Sequence, residues 1–129
     1  MVSSIMCLTL MVFHEAGNQP VKGKMATLEV VQNRVNSDKY PNSHCSVIRQ
    51  KNQFSWVNSS NRALNKIPNK VKNSPTYKRQ WEESQEAVKK FLKSPTNYTK
   101  GAHYFNTNGL GVRYKTNVKP VKIGGHTFY

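Results

Sequence analysis

Apolar residues follow three different rhythms along the chain. In the opening segment Ile5, Met6, Leu8, Met11 and Val12 are spread almost all the way round a helix, which predicts a buried first helix ending near Gly17, with Gly17 and Pro20 as its stop signals. Residues 24–36 then place Met25, Leu28, Val31 and Val35 at helical spacing, as in an amphipathic second helix. Residues 37–72 are rich in Asn, Ser and Lys, with short apolar islands at Val47-Ile48 and around Phe54, Trp56 and Val57. This pattern predicts long surface loops holding one or two short helical turns, a setting in which functional residues are common.

A third helix is marked by Ser74 as N-cap and Pro75 at the first helical position. It carries Tyr77, Trp81, Val88, Phe91 and Leu92 and stops before Pro95; Tyr77 and Trp81 fall on its apolar stripe and read as core. The tail changes rhythm again. "AHYFNTNGLGVRYK" and "VKPVKIGGHTFY" set β-formers around turns at Gly109, Gly111, Gly124 and Gly125, and Gly124-Gly125 reads as a tight hairpin. Helices first and a small antiparallel sheet last make an α+β domain. At 129 residues, with no repeat or linker, the chain reads as one domain spanning residues 1–129.

Charge narrows the partners without choosing one. Twenty Lys and Arg against six Asp and Glu give +14, spread from Lys22 to Lys122, a field that favours polyanions such as cell-wall polymers, nucleic acid or an anionic lipid surface. Residues 1–13 resemble the apolar part of a secretion signal but lack a basic start and a small-residue cleavage site. They are also too short to span a bilayer, which takes about 20 apolar residues. No transmembrane segment is expected.

Acids are scarce enough to weigh one by one. Glu82, Glu83 and Glu86 sit among Lys78, Arg79, Lys89 and Lys90 on the polar side of the third helix, as solvated ion pairs do. Asp38 after Ser37 reads as a turn residue, and Glu29 as a surface or supporting residue of the second helix. Glu15 differs, because it ends an apolar helix where the chain turns away, a position that can set a carboxyl on a cleft wall. Desolvation there, and the carbonyl end of the helix, would both keep it protonated, as a general acid requires. The competing reading is a carboxylate paired with one of the many lysines.

Other chemistries find little support. His14-Glu15 lacks a second histidine at Asn18 for a zinc motif, and His44, His103 and His126 show no ligand spacing, so neither metal nor cofactor is expected. No nucleophile elbow or phosphate loop is present. A nucleic-acid-binding protein remains a rival on charge and aromatic content, yet no recognisable module appears and no specific nucleic acid is expected. Cys7 and Cys45 make at most one bridge; a disulfide and two buried thiols both remain open.

Taken in order, several stretches resemble the spore-cortex-lytic, or SleB-type, cell-wall hydrolases. "CLTLMVFHEAGNQP" resembles their opening C-L-A-x-x-x-Y-x-E-A-R-G-E-P, "ATLEVVQNRV" their A-x-x-x-V-x-x-N-R-V, and "YPNSHCSVIRQKNQFSW" their F-P-x-x-x-C-x-V-x-x-x-x-x-Q-F-S-W. "GAHYFN" and "VKIGGHTFY" resemble their closing motifs, so the likeness runs from Cys7 to Tyr129. It implies a lysozyme-like or lytic-transglycosylase-like fold, mainly helical, acting on peptidoglycan with Glu15 as the catalytic acid/base. It also implies a Cys7–Cys45 bridge. Gly17, Asn18 and Gln19 depart from the motif, and Gln19 removes the second carboxylate the family carries there.

A lone carboxylate suits a lytic transglycosylase better than a hydrolase, which normally uses two acids. Sugar faces stack on aromatics and sugar amides bond to polar side chains, which nominates Phe54, Trp56, Gln53 and Ser55. The motif match adds His103, Tyr104, Asn106 and Tyr129. The expected enzyme is a monomeric phage endolysin or virion lysin working in the periplasm or wall and drawn to anionic envelope polymers. A muramidase or an N-acetylmuramoyl-L-alanine amidase is the alternative.

Overall fold

The computed structural model describes residues 3–51, 53–57, 62–110 and 113–129. Residues 1 and 2 of the first segment, and Gly111 of the tail turns, lie outside them. Among the described residues the helices are α1 (Ser4–Ala16), α2 (Val21–Val35), α3 (His44–Ile48), α4 (Asn69–Asn73) and α5 (Pro75–Lys93). The strands β1 (Phe105–Thr107), β2 (Val121–Ile123) and β3 (His126–Phe128) follow.

Helix α1 starts where Ser3 caps it, its hydroxyl accepting the Met6 N–H at 3.2 Å. Cys7, Leu8, Leu10, Met11, Val12, Phe13 and Ala16 are all buried, because α1 packs against α2, α3 and α5 together. Each such aliphatic side chain withdrawn from water contributes about 1.5–3 kcal/mol, which makes α1 the centre of the core. The helix stops at Gly17 as expected, but with that residue still in helical conformation, for its φ is −58°. The buried Lys24 ammonium instead caps the helix, donating to the Gly17 carbonyl at 3.1 Å and the Gln19 carbonyl at 2.5 Å. What glycine supplies is room, since a Cβ there would lie 2.5 Å from the Phe13 carbonyl oxygen.

Helix α2 begins directly after Pro20, at Val21 instead of Lys24, with the Lys24 N–H already bonded to the Pro20 carbonyl at 3.0 Å. It is also less amphipathic than its sequence spacing implies. Met25, Leu28 and Val31 face the helical core, while Ala26 and Val30 pack with Ala102, Ile123 and Phe128 in a second cluster formed with the sheet. Both cores therefore meet on α2. A disulfide joins Cys7 of α1 to Cys45 of α3, Cα atoms 5.4 Å apart.

Helix α5 keeps its expected limits. Ser74 accepts the Tyr77 N–H at 3.4 Å, Pro75 follows, and the helix ends at Lys93 before Pro95. Trp81 is buried as expected, but Tyr77 stands 38 % exposed and is corrected from core to surface, lying edge-on to Phe13 with ring centres 6.1 Å apart. The strands form an antiparallel sheet in the order β1-β3-β2, with Phe105 opposite Phe128 and Val121 opposite Phe128. The predicted glycine hairpin joins β2 to β3, and Gly124 at φ +58° supplies its left-handed residue. Gln19 holds that hairpin to the α1–α2 turn by accepting the Gly125 N–H at 2.9 Å.

Candidate active site

The packing of α1 against α2 brings the end of α1 to a cleft of about 170 Å³, lined by Glu15, Arg34, Gln53, Phe54, Tyr104 and Tyr114. Glu15 is half-buried there, the penultimate residue of α1. Burial pushes its carboxyl above the ordinary value of 4.5, and the Trp56 indole N–H, donated to Oε2 at 3.0 Å, pulls it partly back by favouring the anion. The result is a carboxyl that holds its proton longer than a surface acid and has one fixed donor.

His14 positions that donor. Its ring stacks on Trp56, centres 4.5 Å apart and planes 18° from parallel. Burial, helped by the charge of Lys70, holds the imidazole down to about 4, so the stack is between neutral rings near neutral pH. One face of Trp56 is thereby taken by His14, which leaves at most the other for a sugar.

Across the cleft, Arg34 of α2 is buried and held on several sides. Nε donates to the His103 carbonyl and Nη1 to Gln53 Oε1, both at 2.8 Å, and the guanidinium lies over the rings of Tyr40 and Tyr104 at 5.3 and 5.5 Å. Burial lowers its pKa, opposed by Tyr40, Tyr104 and Tyr114, but arginine stays charged. A guanidinium fixed this way presents its remaining N–H groups toward whatever fills the cleft.

The remaining acids are committed elsewhere. Glu29, read from sequence as a surface or supporting residue, is 2 % exposed and supporting: it accepts hydrogen bonds from Thr96 Oγ1 at 2.5 Å, the Tyr98 N–H at 2.9 Å and the Thr99 N–H at 2.8 Å. It pins the segment after α5 to α2 and does not line the cleft. Asp38, Glu82, Glu83 and Glu86 are exposed and absent from the cleft lining. Among the described residues no three His, Cys, Asp or Glu side chains gather as metal ligands, and no helix is long and apolar enough to cross a membrane.

Of the residues nominated from sequence, Gln53, Phe54 and Tyr104 share the cleft with Glu15, and Trp56 touches its carboxylate. Phe54 is buried and doubles as a core anchor. Ser55 is exposed in the adjoining turn and does not line the cleft. His103 lies in a neighbouring recess, its ring stacked 6.0 Å from Tyr40. Asn106 and Tyr129 lie in a groove on the sheet. Arg34, Tyr114 and His14 were not singled out from sequence. For Arg34 a signal existed: a cation four residues after Val30 on a buried helix face, inside the "QNRV" motif.

The fold recurs in solved structures. The catalytic domain of the germination-specific lytic transglycosylase SleB from Bacillus anthracis superposes with a TM-score of 0.72 at 24 % identity, covering 97 % of this chain and 92 % of that one. The catalytic domain of the Bacillus cereus SleB protein gives 0.71 at 24 % identity, covering 97 % and 88 %. The expected α+β, lysozyme-like class, mainly helical with a small C-terminal sheet, is therefore the fold adopted. No curated protein sequence matches. Residues 18–129 match the family described as Cell Wall Hydrolase, a stretch that starts just after Glu15 and includes every other nominated cleft residue. The chain belongs to that family, and is an enzyme acting on peptidoglycan.

Proposed function

We propose that the protein is a lytic transglycosylase that cuts the β-1,4 bond between N-acetylmuramic acid and N-acetylglucosamine, with Glu15 as acid and then base. The observation that carries this reading is that Glu15 is the one carboxylate in the cleft among the described residues, and that burial favours its protonated form. The protonated carboxyl gives its proton to the glycosidic oxygen as the bond to muramyl C1 breaks. The resulting carboxylate then takes the proton of the muramyl C6 hydroxyl, whose oxygen closes on C1 as a 1,6-anhydro ring. No water is consumed, and Glu15 ends protonated as it began. Hydrolysis, which normally uses a second carboxylate several ångströms away, finds no second acid in this cleft among the described residues.

Gln53 and Tyr104 offer polar contacts to the sugar, Phe54 and the edge or remaining face of Trp56 apolar ones, and Arg34 a fixed cation. His103, Asn106, Tyr129 and Ser55 belong to its outer reaches. The proposed setting is the bacterial wall or periplasm, reached as a monomeric phage endolysin or virion lysin drawn by charge to anionic envelope polymers. The test is the count of new reducing ends per solubilised glycan fragment. Transglycosylation predicts soluble fragments with essentially no new reducing ends; one reducing end per cut would contradict it.

A further inference from the structure

A second recess, of about 540 Å³, opens on the sheet beside the Glu15 cleft. Its floor is a single cross-strand row, with Asn106 of β1 and Lys122 of β2 both opposite Thr127 of β3. Directly opposed residues in an antiparallel sheet share a face, so this row points away from Phe128 and Ile123, which fill the core side. Arg113, from the chain between β1 and β2, and Tyr129 complete the wall, and among the described residues no Asp or Glu lines it. The volume lies within the range of sites that hold sizeable small ligands.

The recess and the cleft share a wall of tyrosines. Tyr114 lines the Glu15 cleft, stacks on Tyr104 with centres 4.6 Å apart, and meets Tyr129 edge-on at 5.5 Å. A ligand branching away from a sugar at Glu15 would pass along this wall into the basic groove.

We propose that the sheet groove binds the acidic stem peptide of peptidoglycan, with Lys122 and Arg113 taking its carboxylates and Asn106 bonding its backbone amides. The inference rests on the reading of Glu15 as the residue that cuts at muramic acid, because the peptide hangs from the lactyl group of that same sugar. The peptide must leave the cleft close to the broken bond. Two basic recesses border the cleft, one with Lys39 and Lys115 and the sheet groove with Lys122 and Arg113. The sheet groove is the larger, about 540 against 450 Å³, and among the described residues it alone of the two offers a guanidinium that can take a carboxylate bidentately. Arginine and lysine at a groove rim pair with carboxylates through charge-assisted hydrogen bonds.

The test compares glycan strands that keep their peptides with strands stripped of them by an amidase. The double variant Arg113→Ala/Lys122→Ala is expected to lose about tenfold in kcat/KM on peptide-bearing strands, the loss of two partly exposed charge pairs, and to cut stripped strands like the wild type. Arg113→Lys/Lys122→Arg keeps the charges and should restore most of the loss. Lys89→Ala/Lys90→Ala, on the exposed face of α5, controls for general attraction. Equal losses on both substrates, no loss on either, or the same loss from the α5 control would overturn the peptide groove while leaving Glu15 untouched. A wild-type protein that cuts neither substrate would sink the parent reading and this one with it.

Discussion

A carboxyl that must deliver a proton near neutral pH has to be held in an environment that opposes its ionisation, and that environment costs stability. Glu15 shows the conflict plainly. Its native pKa is raised above 4.5, so between 4.5 and the raised value the folded protein keeps a proton that the unfolded chain releases, and stability falls as pH rises through that window. Glu15→Gln should therefore unfold at a higher temperature than the wild type at neutral pH, by an amount worth about 0.5–2 kcal/mol, with the gain gone below pH 4.5. Thermal melts at the two pH values check it, and a variant less stable at both would show that Glu15 is instead a paired structural carboxylate. His14 acts in the other direction: its pKa is depressed from 6.5 to about 4, so the stability it contributes is lost as pH falls through that interval. For activity, the acid form of Glu15 predicts a rate that declines as pH rises through its pKa. Because the Trp56 N–H favours the anion, Trp56→Phe should shift that alkaline limb upward; a pH profile that does not move would remove Trp56 from the control of Glu15. Glu15 was legible in the sequence because it is a lone acid ending an apolar run. Arg34 and His14 were not, since a cation or imidazole on a helix declares itself only when its partners, here Gln53, His103 and Trp56, are brought up from distant segments.

Helix α2 organises the molecule through charges that its sequence pattern hides. Lys24 caps α1, Glu29 gathers the chain after α5, and Arg34 walls the cleft, all from buried positions. A buried carboxylate with three donors is expensive to disturb: Glu29→Ala should cost about 2–5 kcal/mol, whereas Glu82→Ala on the exposed side of α5 should change little. Chemical denaturation of both variants measures this, and a neutral Glu29→Ala would contradict the role. The Cys7–Cys45 bridge closes a segment of 38 residues around α2. On the chain-entropy view it contributes roughly 3–4 kcal/mol. Denaturation midpoints with and without reductant should differ accordingly, and coincident midpoints would show that packing alone holds α1 to α3. Local signals carried the element map well where they were backbone signals: Ser74-Pro75 started α5 and Gly124-Gly125 turned the hairpin. They failed for α2, because its second buried face meets Ala102 and the sheet residues Ile123 and Phe128, roughly 70 to 100 residues later, and for Glu29, whose three donors lie 67 to 70 residues away. No local pattern encodes such a pairing.

At the scale of the whole molecule, composition and fold answer different questions. The net charge of +14 is set mostly by surface residues the fold hardly constrains, and on the proposed reading it bears on how the enzyme finds an anionic wall, not on what it does there. Screening shortens to about 8 Å at 0.15 M salt and further above it. Binding of the Glu15→Gln protein, expected to be inactive, to purified sacculi should accordingly weaken as salt is raised, and salt-independent binding would assign wall affinity to the cleft alone. What the enzyme does is, on the proposed reading, set by one carboxyl at the meeting of α1 and α2. The most direct measurement of that claim is a mass spectrum of the fragments released from peptidoglycan by the wild type and by Glu15→Gln. Fragments lighter by one water than ordinary muropeptides, and absent with the variant, are the predicted result. Unshifted muropeptides, free stem peptides, or an undiminished yield from Glu15→Gln would contradict it.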